Sequence, residues 1–198
     1  MVSNDSSSDA NMKVSTKIVI AGGFGAGKTT LVGSVSEIPP VTTEAIMTAA
    51  SNDVDDTSAT PNKTTTTVAM DFGRITIDQQ LIMYMFGTPG QSRFWFMWDD
   101  LVRGAVGAVV VVDCNRLAES FDAVDYFENK QIPYVVALNR FDGQLAYTVD
   151  QVREALEIPE SVPVIDFDAR DRRSSGRVLV TMLEYAMASG KRDAELVG

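Results

Sequence analysis

Apolar residues along the chain fall into short β-branched runs separated by stretches of helical spacing, and the two kinds alternate. Lys17-Ile-Val-Ile-Ala21 stops before Gly22 and predicts a strand over about 16–21, followed by a helix over about 28–37 that Pro39 and Pro40 end. Val68 to Ile77 and Leu81 to Phe86 read as two strands joined tightly at Asp78-Gln-Gln80, an antiparallel pair. Then the pattern alternates: a helix near 92–103, a buried strand Ala105 to Val112, and a helix near 117–129. A strand Tyr134 to Leu138, a helix near 149–156, a strand Val162 to Phe167 and a helix near 175–188 complete it. Fully apolar strands between amphipathic helices predict an α/β fold, a mixed and mostly parallel six-stranded sheet with helices on both faces. Residues 1–14 are small and polar and predict a disordered tail; 15–188 form one domain; 189–198 form a loose C-terminal tail. Residues 49 to 66 hold Ser, Asn, Asp, Thr and Pro with little to bury, which predicts a long mobile loop.

The junction between the first strand and the first helix carries chemistry. Gly22-Gly-Phe-Gly-Ala-Gly-Lys-Thr29 is a complete G-x-x-x-x-G-K-T phosphate loop in its required strand–loop–helix setting. Its glycines let successive backbone N–H groups turn inward onto phosphate oxygens, and the helix N-terminus adds its positive dipole end. Residues Gly22, Gly23, Phe24, Gly25, Ala26, Gly27, Lys28, Thr29 and Thr30 are therefore candidate phosphate-binding positions. Lys28 would reach the β and γ phosphates, and Thr29 would offer a hydroxyl to Mg²⁺.

Three more motifs follow predicted strands. Gly87-Thr-Pro-Gly-Gln91 offers a glycine amide for a γ-phosphate and a glutamine to orient water, although the same pentapeptide is also an ordinary Pro-Gly turn. Asn139-Arg-Phe-Asp142 places a carboxylate where guanine would present N1–H and its exocyclic amine; adenine has no such donor pair. The tetrapeptide taken alone reads first as a common strand-end turn rich in Asn and Asp. Asp168-Ala-Arg170 closes the last strand, where a backbone N–H at Ala169 or Arg170 can meet the guanine carbonyl oxygen.

Composition narrows the setting. The 198 residues suffice for one domain, with 45% hydrophobic and 22% charged residues. A net charge of −10 argues against nucleic acid as a partner. The single cysteine, Cys114, cannot form an internal disulfide and fits a reducing compartment. No signal peptide, membrane span or lipidation motif is evident, so the expectation is a cytoplasmic protein without a direct membrane anchor, any membrane association being made through partners.

In this order, each at a strand's carboxyl end, the motifs resemble the small Ras-like GTPases, P-loop NTPases, over roughly residues 15 to 188. More narrowly they resemble the bacterial MglA-type branch and the actinobacterial conservon GTP-binding proteins, through Thr-Pro-Gly-Gln and the strand pair Asp71-Phe72. The resemblance implies GTP or GDP with Mg²⁺, phosphates on Gly22 to Thr30, Thr67 as switch threonine and metal ligand, and Gly90 and Gln91 in the second switch. It assigns guanine recognition to Asn139, Arg140, Asp142, Ala169 and Arg170. It also implies a roadblock-type regulator and a sensor-kinase-like protein as partners. The chain departs from the pattern at Gly87, where an aspartate ordinarily stands near Mg²⁺; Asp71 is the nearest replacement, or else an ordinary solvent-facing carboxylate. Arg140 replaces the usual lysine, and its plane can cover the base as well. No arginine directly precedes Thr67, and Arg74 and Arg93, the other candidates for an intrinsic arginine finger, read more simply as surface residues.

Phe94-Trp-Phe-Met-Trp98 cannot face the sheet with every side chain on a helix, so some are covered by the long loop or form a partner surface. The expected function is a GTP-binding switch with slow, partner-stimulated hydrolysis in which Gln91 orients the water. A GTP-binding scaffold without turnover and a P-loop phosphotransferase are the alternatives.

Overall fold

The structure is a computed structural model and describes residues 14–39, 41–47, 66–90, 92–141 and 147–197. The strands are β1 (Val14–Ala21), β2 (Val41–Met47), β3 (Thr66–Thr76), β4 (Leu81–Gly87), β5 (Gly107–Val112), β6 (Tyr134–Asn139) and β7 (Val164–Phe167). The helices are α1 (Lys28–Val35), α2 (Trp98–Leu101), α3 (Phe121–Asn129), α4 (Val149–Ala155) and α5 (Arg172–Val197).

The sheet runs β2-β3-β4-β1-β5-β6-β7. Strands β4, β1, β5, β6 and β7 are mutually parallel, while β3 lies antiparallel to both β4 and β2. The expected mixed, mostly parallel architecture is present, with β2 as an additional edge strand that makes seven. Every residue of β5 and of β6 is buried, as strands covered on both faces require.

Strand alternation divides the core in two. Ile18 and Ile20 face one layer with Leu31, Val32, Val109, Val111, Leu179 and Met182, beneath α1 and α5. Val19 and Ala21 face the other with Val110, Val112, Val124, Phe127, Leu138 and Val152, beneath α3 and α4. Each fully buried Leu, Ile, Val or Phe side chain contributes about 1.5–3 kcal/mol by removal from water.

Three elements differ from expectation. The helix expected near 92–103 is a 3₁₀ stretch, Ser92–Met97, running into the single turn of α2. At three residues per turn, Trp95 and Trp98 come together, with ring centroids 5.9 Å apart, and Trp98 in turn stacks on Phe127. The region near 117–129 opens as a 3₁₀ stretch, Cys114–Ser120, with a kink at Arg116 (φ −133°, ψ 45°), before α3 begins. Finally, α5 continues to Val197, so the segment expected as a loose tail is helical over residues 189–197. The expected N-terminal tail and the expected loop at 49–66 lie almost wholly outside the described residues.

The carboxyl ends of the parallel strands share one edge of the sheet. At that edge β1 leads into Gly22, β4 ends at Gly87, β5 leads into Asp113, β6 ends at Asn139 and β7 leads into Asp168. The order reverses around β1, which is where open α/β sheets place their ligands.

Candidate functional site

The phosphate loop keeps its shape because two positions admit no side chain. Gly22 and Gly27 have φ of 133° and 110°. A Cβ on Gly22 would run into the Val111 carbonyl, and one on Gly27 into the Asn139 side-chain amide. Gly27 is also the N-cap of α1, whose first turn has no side-chain cap and no acidic residue. The first N–H groups of α1 are thus uncapped by protein side chains, a favourable end for an anion.

Lys28 is 7% exposed and donates from Nζ to the carbonyls of Gly22 at 2.8 Å and Gly23 at 2.7 Å. Burial lowers its ammonium from 10.5 to about 8, although Asp71 and Glu119 pull the other way. A phosphate beside it would favour the charged form and raise the value again. The loop's cation is therefore placed at a cost that an anionic ligand removes.

On the neighbouring strands, Thr29 Oγ1 donates to Asp71 Oδ2 at 2.6 Å. The register pairs Phe72 with Phe86, which sets Asp71 opposite Gly87. A Cβ on Gly87 would come within 2.9 Å of Asp71 Cβ and 3.0 Å of its Oδ2. Gly87 thus makes room for Asp71: a carboxylate on β3 occupies the space where one on β4 was expected. Gly90 lies close by, since a Cβ there would stand 2.8 Å from Lys28 Nζ and 2.9 Å from the Phe24 backbone. Phe24 itself is 65% exposed on the rim of the loop. Thr30 is exposed on α1, Thr67 sits in β3 paired with Ile46, and Gln91 lies outside the described residues.

The opposite end of the site is closed by hydrogen bonds. Asn139, 5% exposed, donates from Nδ2 to the Ala26 carbonyl at 2.9 Å and accepts on Oδ1 from the Ala169 N–H at 3.1 Å. One side chain therefore ties the phosphate loop to the turn after β7. Asp168 forks onto Arg170, accepting from Nε at 3.0 Å and Nη2 at 2.9 Å, and also accepts the Arg170 backbone N–H at 2.9 Å. Those contacts with Arg170 hold the Asp168 carboxyl below its usual range. The N–H groups that the sequence assigns to a guanine carbonyl thus have partners within the protein. Arg140 pairs with Asp166 on β7, and Asp142 lies outside the described residues.

Sequence reasoning missed Arg116 and Glu119, which flank the loop. Glu119 crowds Gly23, and the Arg116 guanidinium lies against Gly25. Neither belongs to a phosphate-loop motif; their placement depends on the kink at Arg116. The aromatic segment divides: Phe94 and Trp98 are core at 8% and 2% exposed, whereas Phe96 is 57% exposed. Among the described residues no cluster of metal-binding side chains forms and no helix is long and apolar enough to cross a membrane.

Comparison with solved structures returns the same architecture. The G domain of the Thermotoga maritima FeoB iron transporter superposes with a TM-score of 0.60 at 16% identity, over 87% of this chain and 99% of that domain. The FeoB G-domain from Methanococcus jannaschii gives 0.59 at 14% identity, over 89% and 99%. The fold is that of P-loop GTPase G domains. In sequence, an uncharacterized protein of Methanocaldococcus jannaschii is 33% identical over 133 residues, 66% of this chain and 73% of that protein. The Ypt/Rab-type GTPase ypt7 of Pyricularia oryzae is 26% identical, and the alignment covers 56% of this chain and 60% of that one. Rab7 of Neurospora crassa is 28% identical over 48% and 52%. A family profile described as "Conserved hypothetical ATP binding protein" matches residues 20–189. With most of its length inside that match, the chain belongs to this family of nucleotide-binding P-loop proteins.

Proposed function

We propose that the protein is a guanine-nucleotide switch that binds GTP and hydrolyses it slowly. The observation that carries this reading is Asn139, whose amide joins Ala26 of the phosphate loop to Ala169. Asn139 opens the Asn139-Arg-Phe-Asp142 motif and Ala169 lies in Asp168-Ala-Arg170, so one side chain holds a residue of each motif against the phosphate loop. Similarity to Ypt/Rab-type GTPases supports the same reading.

Lys28 and the loop N–H groups bind the phosphates, and Thr29 Oγ1 and the Asp71 carboxylate fit the hard-cation chemistry of a nucleotide-bound Mg²⁺. When bound, that ion supplies charge neutralisation on the phosphate oxygens. Thr67 supplies a further hydroxyl from β3, Gly90 senses the γ-phosphate, and Gln91 orients the attacking water. Asp142 selects guanine by accepting two hydrogen bonds, with the Arg140 plane over the base. Closure of Thr67 and Gly90 onto the γ-phosphate, and their release on hydrolysis, is the switch. The regulator is of roadblock type and the second partner sensor-kinase-like, as in the MglA-type and conservon proteins that the motifs resemble.

The family's description names ATP, so base choice is the deciding measurement. The wild type binds GTP well over tenfold more tightly than ATP, and Asp142→Asn loses about 2 kcal/mol for GTP while favouring xanthosine triphosphate. Equal affinity for ATP and GTP overturns the guanine assignment. A pull-down with GTP-analogue-loaded protein tests the partners, and failure to enrich a roadblock-fold protein over the GDP-loaded form overturns that part.

A further inference from the structure

A switch that hydrolyses GTP needs a cation beyond Lys28 where charge develops, and the segment before Thr67 supplies no arginine. The structure brings one from a different direction. Arg116 follows β5 in the 3₁₀ stretch Cys114–Ser120, at the residue where that stretch leaves helical geometry. Its guanidinium lies against the phosphate loop: Nη2, Nη1 and Cζ stand 2.9, 3.6 and 3.7 Å from the position of a Cβ on Gly25. Nη2 is the nearest of the three, so an amino group of the fork faces the loop at Gly25. Gly25 has φ of 73°, a conformation that favours glycine, and a Cβ there would push the guanidinium aside.

Two carboxylates hold the fork, and they hold it unequally. Asp113, with its side chain 11% exposed, accepts from Arg116 Nε at 2.9 Å, and its other oxygen accepts the Asn115 N–H at 2.9 Å. That contact is a short one to a fixed group. Glu119 stands 3.6 Å from Nη1 on a side chain 43% exposed, a long and solvent-screened contact. The firm bond restrains the root of the guanidinium, and the weak one reaches Nη1. Asp113 also caps the 3₁₀ stretch, so its carboxylate is fixed independently of Arg116 and sets the root of the guanidinium.

We propose that Arg116 is an intrinsic catalytic cation for this site, held at Gly25 by Asp113 and transferred from Glu119 to the phosphates as charge builds there. The inference rests on the GTPase reading above. In the step concerned, the water oxygen bonds to the γ-phosphorus while the bond from that phosphorus to the β–γ bridging oxygen breaks. The electron pair stays on the bridging oxygen of GDP, and the water's proton leaves with inorganic phosphate. Nη1 and Nη2 donate to the oxygens on which that charge collects, which stabilises the transition state more than bound GTP. Asp113 keeps the fork oriented throughout, so it acts as a positioning residue.

Single-turnover hydrolysis with Mg²⁺ and GTP, run beside GTP and GDP affinities, tests the proposal on the full chain. Arg116→Ala is expected to slow hydrolysis about 100-fold or more while GTP affinity changes by less than about threefold. Arg116→Lys keeps the charge without the fork and is expected to recover only part of that loss. The GDP–aluminium fluoride complex, which mimics the transferring phosphoryl group, should form with the wild type and not with Arg116→Ala. A purely structural role would not move that signature at unchanged GDP affinity. Equal hydrolysis by Arg116→Ala and wild type overturns the proposal and leaves the GTPase reading intact. A wild type that binds GTP yet releases no phosphate overturns it in favour of the scaffold, and one that does not bind GTP overturns the GTPase reading itself. Melting curves of both variants matching the wild type exclude misfolding as the cause; a melted Arg116→Ala leaves Arg116→Lys to decide.

Discussion

The two ends of the site are built from different interactions. At the base end, polar groups are paired with one another: Asn139 with Ala26 and Ala169, Asp168 with Arg170, Arg140 with Asp166. At the phosphate end, polar and charged groups are paired with what a ligand would replace: Lys28 with the carbonyls of its own loop, Thr29 with Asp71, and Arg116 with Glu119. On the proposed reading, a nucleotide would leave the bonds at one end in place and exchange those at the other. The comparison teaches where switching can occur, because only exchangeable pairs respond to the presence of a γ-phosphate.

The strongest test separates the ends by removing the loop's cation. Lys28→Ala should cost triphosphate binding about 3 kcal/mol or more, a factor of roughly 100, without loss of fold. Circular dichroism should be unchanged, since Lys28 is held in the free protein against the cost of its own burial. Retained micromolar GTP affinity in that variant would mean that the phosphate end lies elsewhere.

Asn139→Ala should behave in the opposite manner. It leaves the Ala26 carbonyl and the Ala169 N–H without the partner they share, so it should destabilise the free protein by roughly 1–3 kcal/mol. Nucleotide affinity should fall too, because the loop loses its tie to the base end. A variant with normal melting and only weaker binding would show that Asn139 serves the ligand rather than the frame, and the contrast between the two ends would fail.

The Asp71–Gly87 exchange offers a finer test inside the phosphate end. Gly87→Asp forces a second carboxylate against Asp71, at a cost of about 1–3 kcal/mol from crowding and like charge. The full exchange, Asp71→Gly with Gly87→Asp, should recover a good part of the stability and of Mg²⁺-dependent nucleotide binding. Additive losses in the double variant, measured by thermal melting, would show that the two positions are independent.

What the sequence revealed follows from the same physics. The all-apolar runs of β5 and β6 are buried on both faces, and a run of that kind has few other uses. The phosphate loop was legible because its glycines answer to local backbone geometry. Val41–Met47 was not, since an edge strand carrying Thr42, Thr43 and Glu44 after two prolines has too weak an alternation to announce itself. The 3₁₀ winding of Ser92–Met97 hid behind a helix-like aromatic spacing. Asp71 could be named as a substitute for the residue missing at 87, but only the β3–β4 register decides that it stands opposite Gly87. Arg116 is the extreme case: its contact with Gly25 joins the segments that follow β1 and β5, with four strands of chain between them and a kink at Arg116 itself, and no local pattern carries such information.

The smallest expected effect is one of pH, and it discriminates by sign. Burial holds Lys28 at about 8 in the folded protein, against 10.5 for the unconstrained side chain. Between those values the unfolded chain binds more protons than the native one, so the stability of the free protein should rise with pH across that window. Nucleotide binding should do the reverse, because it requires the ammonium. Below about 8 the ammonium is already present and affinity should be flat in this respect; above it, binding takes up a proton and affinity falls. At about pH 9 the loss relative to about pH 7 should approach roughly tenfold, provided the triphosphate raises the bound-state value well beyond that range. Titration calorimetry in buffers of different ionisation enthalpy reads the proton uptake directly, and chemical denaturation of the free protein reads the stability. Affinity and stability that rise together would place the ammonium outside the phosphate contacts and remove the contrast between the two ends at its source.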